Sequence, residues 1–154
     1  MFTMRTKLTT LTTRWLATGL LACCAGFAFA GDAGQLKSVK GSAHVERDGN
    51  RMPATVGMTV LESDTLVTGA DGSMGVTMAD NALLSVGPNS VLAIEKYAFN
   101  STTHAGAFDA SLQKGTLAVV SGKMVKQSAD AMRVRTPVSV MAVRGTEFVV
   151  KVDD

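Results

Sequence analysis

The chain has 154 residues, fifteen Lys/Arg, thirteen Asp/Glu and a formal charge of +2. Three of the basic residues, Arg5, Lys7 and Arg14, precede residue 31 and no acidic residue does, so residues 31–154 hold twelve basic against thirteen acidic groups, a charge of −1. That balance excludes the concentrated positive surface on which nucleic-acid binding depends. Both cysteines, Cys23 and Cys24, also fall in the early segment, so the rest of the chain forms no internal disulfide and offers no thiol nucleophile.

The first thirty residues read as a helical signal peptide. A basic start is followed by an apolar run from Trp15 to Phe29, and Ala28-Phe29-Ala30 supplies the small-x-small pattern of a cleavage site. The run is short for a membrane span and polar sequence follows it. Cleavage after Ala30 is the expectation, with residues 31–154 left as one exported domain in the periplasm. Leu20-Leu21-Ala22-Cys23 also approaches a lipobox, in which lipidated Cys23 would attach the chain to a membrane, although one lipid alone holds a protein weakly.

From Gly34 onward, short apolar alternations are separated by turn residues. Leu36–Val39, Ala43–Val45, Val60-Leu61 and Thr65–Thr68 read as strands, with Lys40-Gly41, Asp48-Gly49-Asn50 and Ser63-Asp64 between them. Ala70-Asp71-Gly72 is a turn because Gly accepts positive φ and Asp bonds its own backbone. Met74, Val76 and Met78 then share one face. Asp80-Asn81 and Gly87-Pro88-Asn89 bracket Leu83–Val86, and Val91–Ile94 follows. Ala98–Gly106 is expected to be the longest loop, and Phe108–Leu112 with Thr116–Val120 a hairpin through Gln113-Lys114-Gly115.

The last stretch holds the densest pattern. Met132 and Val134 alternate with Arg133 and Arg135, and Thr136-Pro137 forces a corner because proline lacks an N–H and extends the residue before it. Val138 to Val143 suggests a strand covered on both faces. Arg144-Gly145-Thr146 turns the chain into Glu147–Val152, where Phe148, Val150 and Val152 alternate with Glu147, Val149 and Lys151. No ten-residue helical period occurs after the leader. The fold expected is all-β: many short strands in an irregular solenoid-like or twisted sandwich arrangement.

On these residues the chain resembles the FecR-domain family of exported bacterial proteins. The likeness runs through Gly57…Leu61…Asp64-Thr65-Leu66-Val67-Thr68-Gly69, Leu84-Ser85-Val86-Gly87-Pro88-Asn89, Leu112…Gly115-Thr116-Leu117 and Thr136-Pro137…Val143-Arg144-Gly145-Thr146-Glu147-Phe148. The resemblance implies a β-rich domain working outside the cytoplasm. In the family's namesake it belongs to a membrane regulator that reports an occupied iron-siderophore receptor to a sigma factor. There an anti-sigma helix and a membrane span precede the domain and a receptor-contacting domain follows it. With a cleavable leader in their place and an end at Asp154, direct sigma-factor control is not expected. Asp80-Asn81-Ala82 stands where the family tends to have Asp-Gly-Ser, and Asn sustains the left-handed conformation such a turn needs.

Candidate sites divide between structure and binding. Thr136, Pro137, Arg144, Gly145, Thr146 and Phe148 form the motif assigned a structural role. An arginine inside an apolar run needs internal acceptors, so Arg144 is expected to satisfy buried carbonyls or an Asp such as Asp64 or Asp80, and its loss to lower the melting temperature. Glu147, Val149 and Lys151 are the candidate partner-binding residues, on an edge open to a partner strand. His44 and His104 have no second ligand at metal spacing. The seven methionines beyond the leader, among them Met74, Met78, Met124 and Met132, read as core filling. No Gly-x-Ser-x-Gly, Ser-x-x-Lys, zinc or phosphate-loop signature occurs. The function expected is a non-enzymatic interaction or sensory module without cofactor, binding an envelope protein. The alternative is a ligand- or glycan-binding domain using the Ala98–Gly106 loop with Tyr97, Phe99 and Phe108.

Overall fold

The computed structural model describes residues 31–145 and 147–153. The expected leader, Cys23 and Thr146 lie outside them. The described chain is all-β but for one helical turn. Its strands are β1 (Asp32–Lys40), β2 (Ala43–Arg47), β3 (Asn50–Pro53), β4 (Thr59–Leu61), β5 (Thr65–Thr68), β6 (Ser73–Met78), β7 (Leu83–Val86), β8 (Val91–Phe99) and β9 (Gly106–Val120). The helix α1 (Lys123–Gln127) follows, then β10 (Met132–Arg135), β11 (Val140–Ala142) and β12 (Glu147–Val152).

The expected hairpin within 106–120 does not form, and β9 is instead the longest strand and the spine of the molecule. Its first part pairs with β8 and its last part with β7, from Phe99↔Gly106 through Val91↔Lys114 and Val86↔Leu117 to Leu83↔Val120. On the opposite edges β10 runs parallel to residues 108–111 and β12 antiparallel to residues 115–120. Gly115 therefore bends the strand without reversing it. It holds φ +89°, and a Cβ there would run into Ser90, whose Cα lies 2.5 Å away. The ladder with β8 shifts register just before it, a bulge that changes which side chains face inward. Phe108, Ala110 and Leu112 are buried before the bend, Leu117 and Val119 after it.

The same bend recurs along the chain. β1 passes into β2 at Gly41-Ser42, β5 into β6 at Gly69–Gly72, and β7 into β8 at Gly87–Ser90. Each linked pair contributes one strand to each of two sheets that share β9. One runs β4-β1-β6-β7-β9-β12 and the other β3-β2-β5-β8-β9-β10-β11. The bends lie against each other: Gly69 donates to the Ser42 carbonyl (2.8 Å), Asn89 to Gly69 (3.0 Å) and Gly87 to Thr116 (2.9 Å). A Cβ on Gly72 would collide with the Ser42 carbonyl oxygen, so this approach needs glycine. All pairings are antiparallel except β9–β10, which makes a curled sheet closed over one core and not a regular solenoid coil. Leu36, Leu66, Leu84, Leu92, Leu112 and Leu117 meet at its centre, drawn from both sheets. Burial of such a side chain stabilises by roughly 1.5–3 kcal/mol.

Two local expectations change. Residues 138–143 do not form a strand covered on both faces: only Val140–Ala142 is strand, and Val138 and Val140 are 91% and 65% exposed. Residues 123–127, in a stretch where no helical period is expected, form α1, whose Met124 is buried. Its N-terminal end rests on Asp80, with the carbonyl accepting from Lys123 N–H (2.8 Å) and Oδ2 from Met124 N–H (3.4 Å).

Candidate interaction site at the last strand

The motif residues around Pro137 and Arg144 are gathered at one end of the two sheets. Thr136 donates its N–H to the Ser139 carbonyl (2.8 Å), and its Oγ1 accepts from Ser139 N–H (3.0 Å). This closed turn holds Pro137 and Val138 at an exposed tip. Gly145 turns the chain at φ +125°, and its carbonyl accepts from Ser121 Oγ (2.6 Å). Phe148 is half-buried on the core side of β12 beside buried Val150. Glu147, Val149 and Lys151 face outward, with Val149 64% exposed. Asp153 beside the Lys151 ammonium (2.5 Å) raises its pKa above the ordinary lysine range.

Arg144 does not play the part expected of it. It is exposed, and neither buried carboxylate turns toward it. Asp64, fully buried, accepts from Arg47 Nε (2.7 Å) and Nη2 (2.6 Å) and from the Leu61 N–H (2.8 Å). Arg47 also donates to the Thr59 carbonyl (2.9 Å), and the Asp64 contact raises its pKa further. Asp80 accepts from Ala82 N–H (3.2 Å) and faces the Tyr97 hydroxyl (3.4 Å). Arg144 sits where the chain has left the sheet between β11 and β12, so water solvates it. The internal cation is Arg47, which shares an inward-facing register with buried Val45. That period-2 position was the signal available in the sequence.

The Ala98–Gly106 loop is shorter than expected, because β8 reaches Phe99 and β9 begins at Gly106. Its aromatic rings are engaged within the molecule. Tyr97 meets Phe108 edge-on in the core at 5.7 Å, and Phe99 stacks on His104 at 6.2 Å. His44 lies 3.4 Å from Glu46. Among the described residues no group of three His, Cys, Asp or Glu stands close enough to hold a metal ion.

What the C-terminal end offers is main chain. Among the described residues the four outermost strands are β3, β4, β11 and β12. β4 and β11 have three residues each, and β3 has four and ends in Pro53. β12 has six residues and, among the described residues, is paired only with β9. Beside it lies a groove of about 550 Å³, walled by Pro137, Val138 and Met141 on one side and by Val149, Val150 and Val152 on the other. An unpaired edge with apolar side chains next to it recognises an extended peptide through backbone hydrogen bonds and alternate side chains.

Comparison with known proteins bears on what such an edge serves. The sequence model of one family, described as FecR protein, matches residues 64–154. No curated protein and no solved structure matches the chain. The family is a signalling and regulatory one, and its domain points to an envelope signalling or sensor module. The match spans well over half of the sequence and takes in every strand from β5 to β12, and by it the chain belongs to the FecR protein family.

Proposed function

We propose that this domain is a non-enzymatic interaction module of envelope signalling, exported to the periplasm by its leader, which takes up an extended segment of an envelope protein along β12. The observation that carries this reading is the six-residue strand with one unpaired edge, set beside a groove lined by exposed Val138 and Val149, with exposed Val140 standing between its lining residues Ser139 and Met141. A bound segment would present alternate apolar side chains to the groove and main-chain groups to β12.

Site-specific photo-cross-linking in the exporting cell tests it. A photoreactive residue at Val138, Val140 or Val149 should capture one and the same envelope protein. The similarly exposed Val56, on the connection between β3 and β4 at the opposite ends of the two sheets from β12, should not capture it. Failure of all three positions to capture a protein that Val56 does not would overturn the reading.

A further inference from the structure

We infer that β12 is self-complementary, and that two copies of this chain pair edge to edge along it as a symmetric dimer. The inference goes beyond the envelope-partner reading and stands without it. Glu147, Val149 and Lys151 lie on the outward face at every second position. Two identical antiparallel strands related by a two-fold axis place residues directly opposite on the same face. With the axis through Val149, each Val149 faces its own copy. Each Glu147 then faces the copy's Lys151, so one contact supplies two opposite-charge pairs around an apolar centre.

Charge selects this register over its neighbours. Slipping the copy by two residues one way sets Glu147 against Asp153. Slipping it the other way sets Glu147 against Val149 and Lys151 against Gly145. Like charges directly opposite destabilise a strand pair, whereas opposite charges and apolar pairs each contribute roughly 0.2–1 kcal/mol. The favoured register also brings the copy's Gly145, which has no side chain, beside Asp153 at the Pro137-Val138 end of the groove. The dimer would continue the sheet β4-β1-β6-β7-β9-β12 into its symmetry mate and remove the longest open edge among the described residues. An envelope segment binding β12 would then have to displace the second copy.

Cysteine placement tests the register. In the full chain carrying Cys23→Ser and Cys24→Ser, Val149→Cys introduces the sole thiol. Cβ atoms of directly opposed residues are about 4.5–5.5 Å apart, close to disulfide range. Oxidation should therefore convert Val149→Cys to a covalent dimer. Glu147→Cys alone and Lys151→Cys alone should stay monomeric, because each is about 13 Å from its own copy. The double variant Glu147→Cys/Lys151→Cys should cross-link again. In sedimentation, Lys151→Glu should weaken the dimer by about tenfold and Glu147→Lys/Lys151→Glu should restore it. The inference is overturned by a chain that sediments as a monomer at all concentrations, or by cross-linking at 147, 151 or Val56 as fast as at 149. Dimerisation without capture of an envelope protein would defeat only the partner reading, and capture without dimerisation only this one.

Discussion

Arg47 and Arg144 show how one residue type takes opposite parts according to the backbone beneath it. Arg47 ends a strand on an inward-facing position and holds the buried carboxylate of Asp64 through two hydrogen bonds. Removing one member of such a pair leaves the other buried without compensation, which costs about 3–5 kcal/mol. Asp64→Ala is expected to fall at the lower end, about 3 kcal/mol in urea unfolding, because Arg47 retains some solvent contact. Arg144→Ala should change stability by less than about 0.5 kcal/mol, as exposed substitutions usually do. Tyr97 provides a second residue-scale test. Burial and then the neighbouring Asp80 charge push its phenol well above the ordinary tyrosine range. The unfolded chain therefore ionises first. The stability that the neutral phenol contributes is full below about pH 10 and is lost as pH rises above it. Tyr97→Phe leaves the Asp80 N–H without its acceptor and should lower the melting temperature at pH 8. Its deficit against the native chain should shrink from pH 9.5 to 11, and a deficit constant across that range would contradict the assignment.

At the scale of an element, β9 carries the main lesson. Gln113-Lys114-Gly115 has the composition of a hairpin loop, and positive φ at Gly115 is what such a loop would use. The distinction between a turn and a bend lies in the neighbours. Both arms of β9 are paired along both edges, so the chain gains more by continuing than by folding on itself. The sequence did hold a clue, since the buried positions change from even to odd numbers across Gly115, as an inserted bulge residue requires. Gly115→Ala should cost about 1–3 kcal/mol for backbone strain alone, and more for the contact with Ser90. Thermal unfolding of that variant, with Gly49→Ala as an exposed positive-φ control whose Cβ meets nothing, separates the two contributions. The helix α1 was not legible for a different reason. Five residues give no period to read, and the turn forms because Asp80, more than forty positions earlier, supplies acceptors for its first N–H groups.

Over the whole molecule, stability should be graded from the spine outward. β6, β7, β8 and β9 have strands on both sides and the most buried side chains, whereas β11 and the 136–145 connection project at one end. Local opening needs least free energy where few buried contacts are broken. Amide exchange should therefore be slowest in β8 and β9 and fastest in residues 136–145. The amides of β12 should exchange at intermediate rates that slow as protein concentration rises. Uniform protection from β9 to β11 would contradict this gradient.

The sequence by itself determined that residues 31–154 would be mostly short strands broken at Gly, Asn and Asp, because alternation and positive-φ residues are local properties of the chain. It also carried the family resemblance, which the match over residues 64–154 bears out. Only the tertiary structure decided which bends reverse the chain, which arginine is internal, and which of several strands is left with an open edge. Those outcomes depend on partners far apart in sequence. Arg47 meets Asp64, Ser90 meets Gly115, and β12 returns to β9 across β10 and β11, through contacts that exist only once the two sheets close on a shared core.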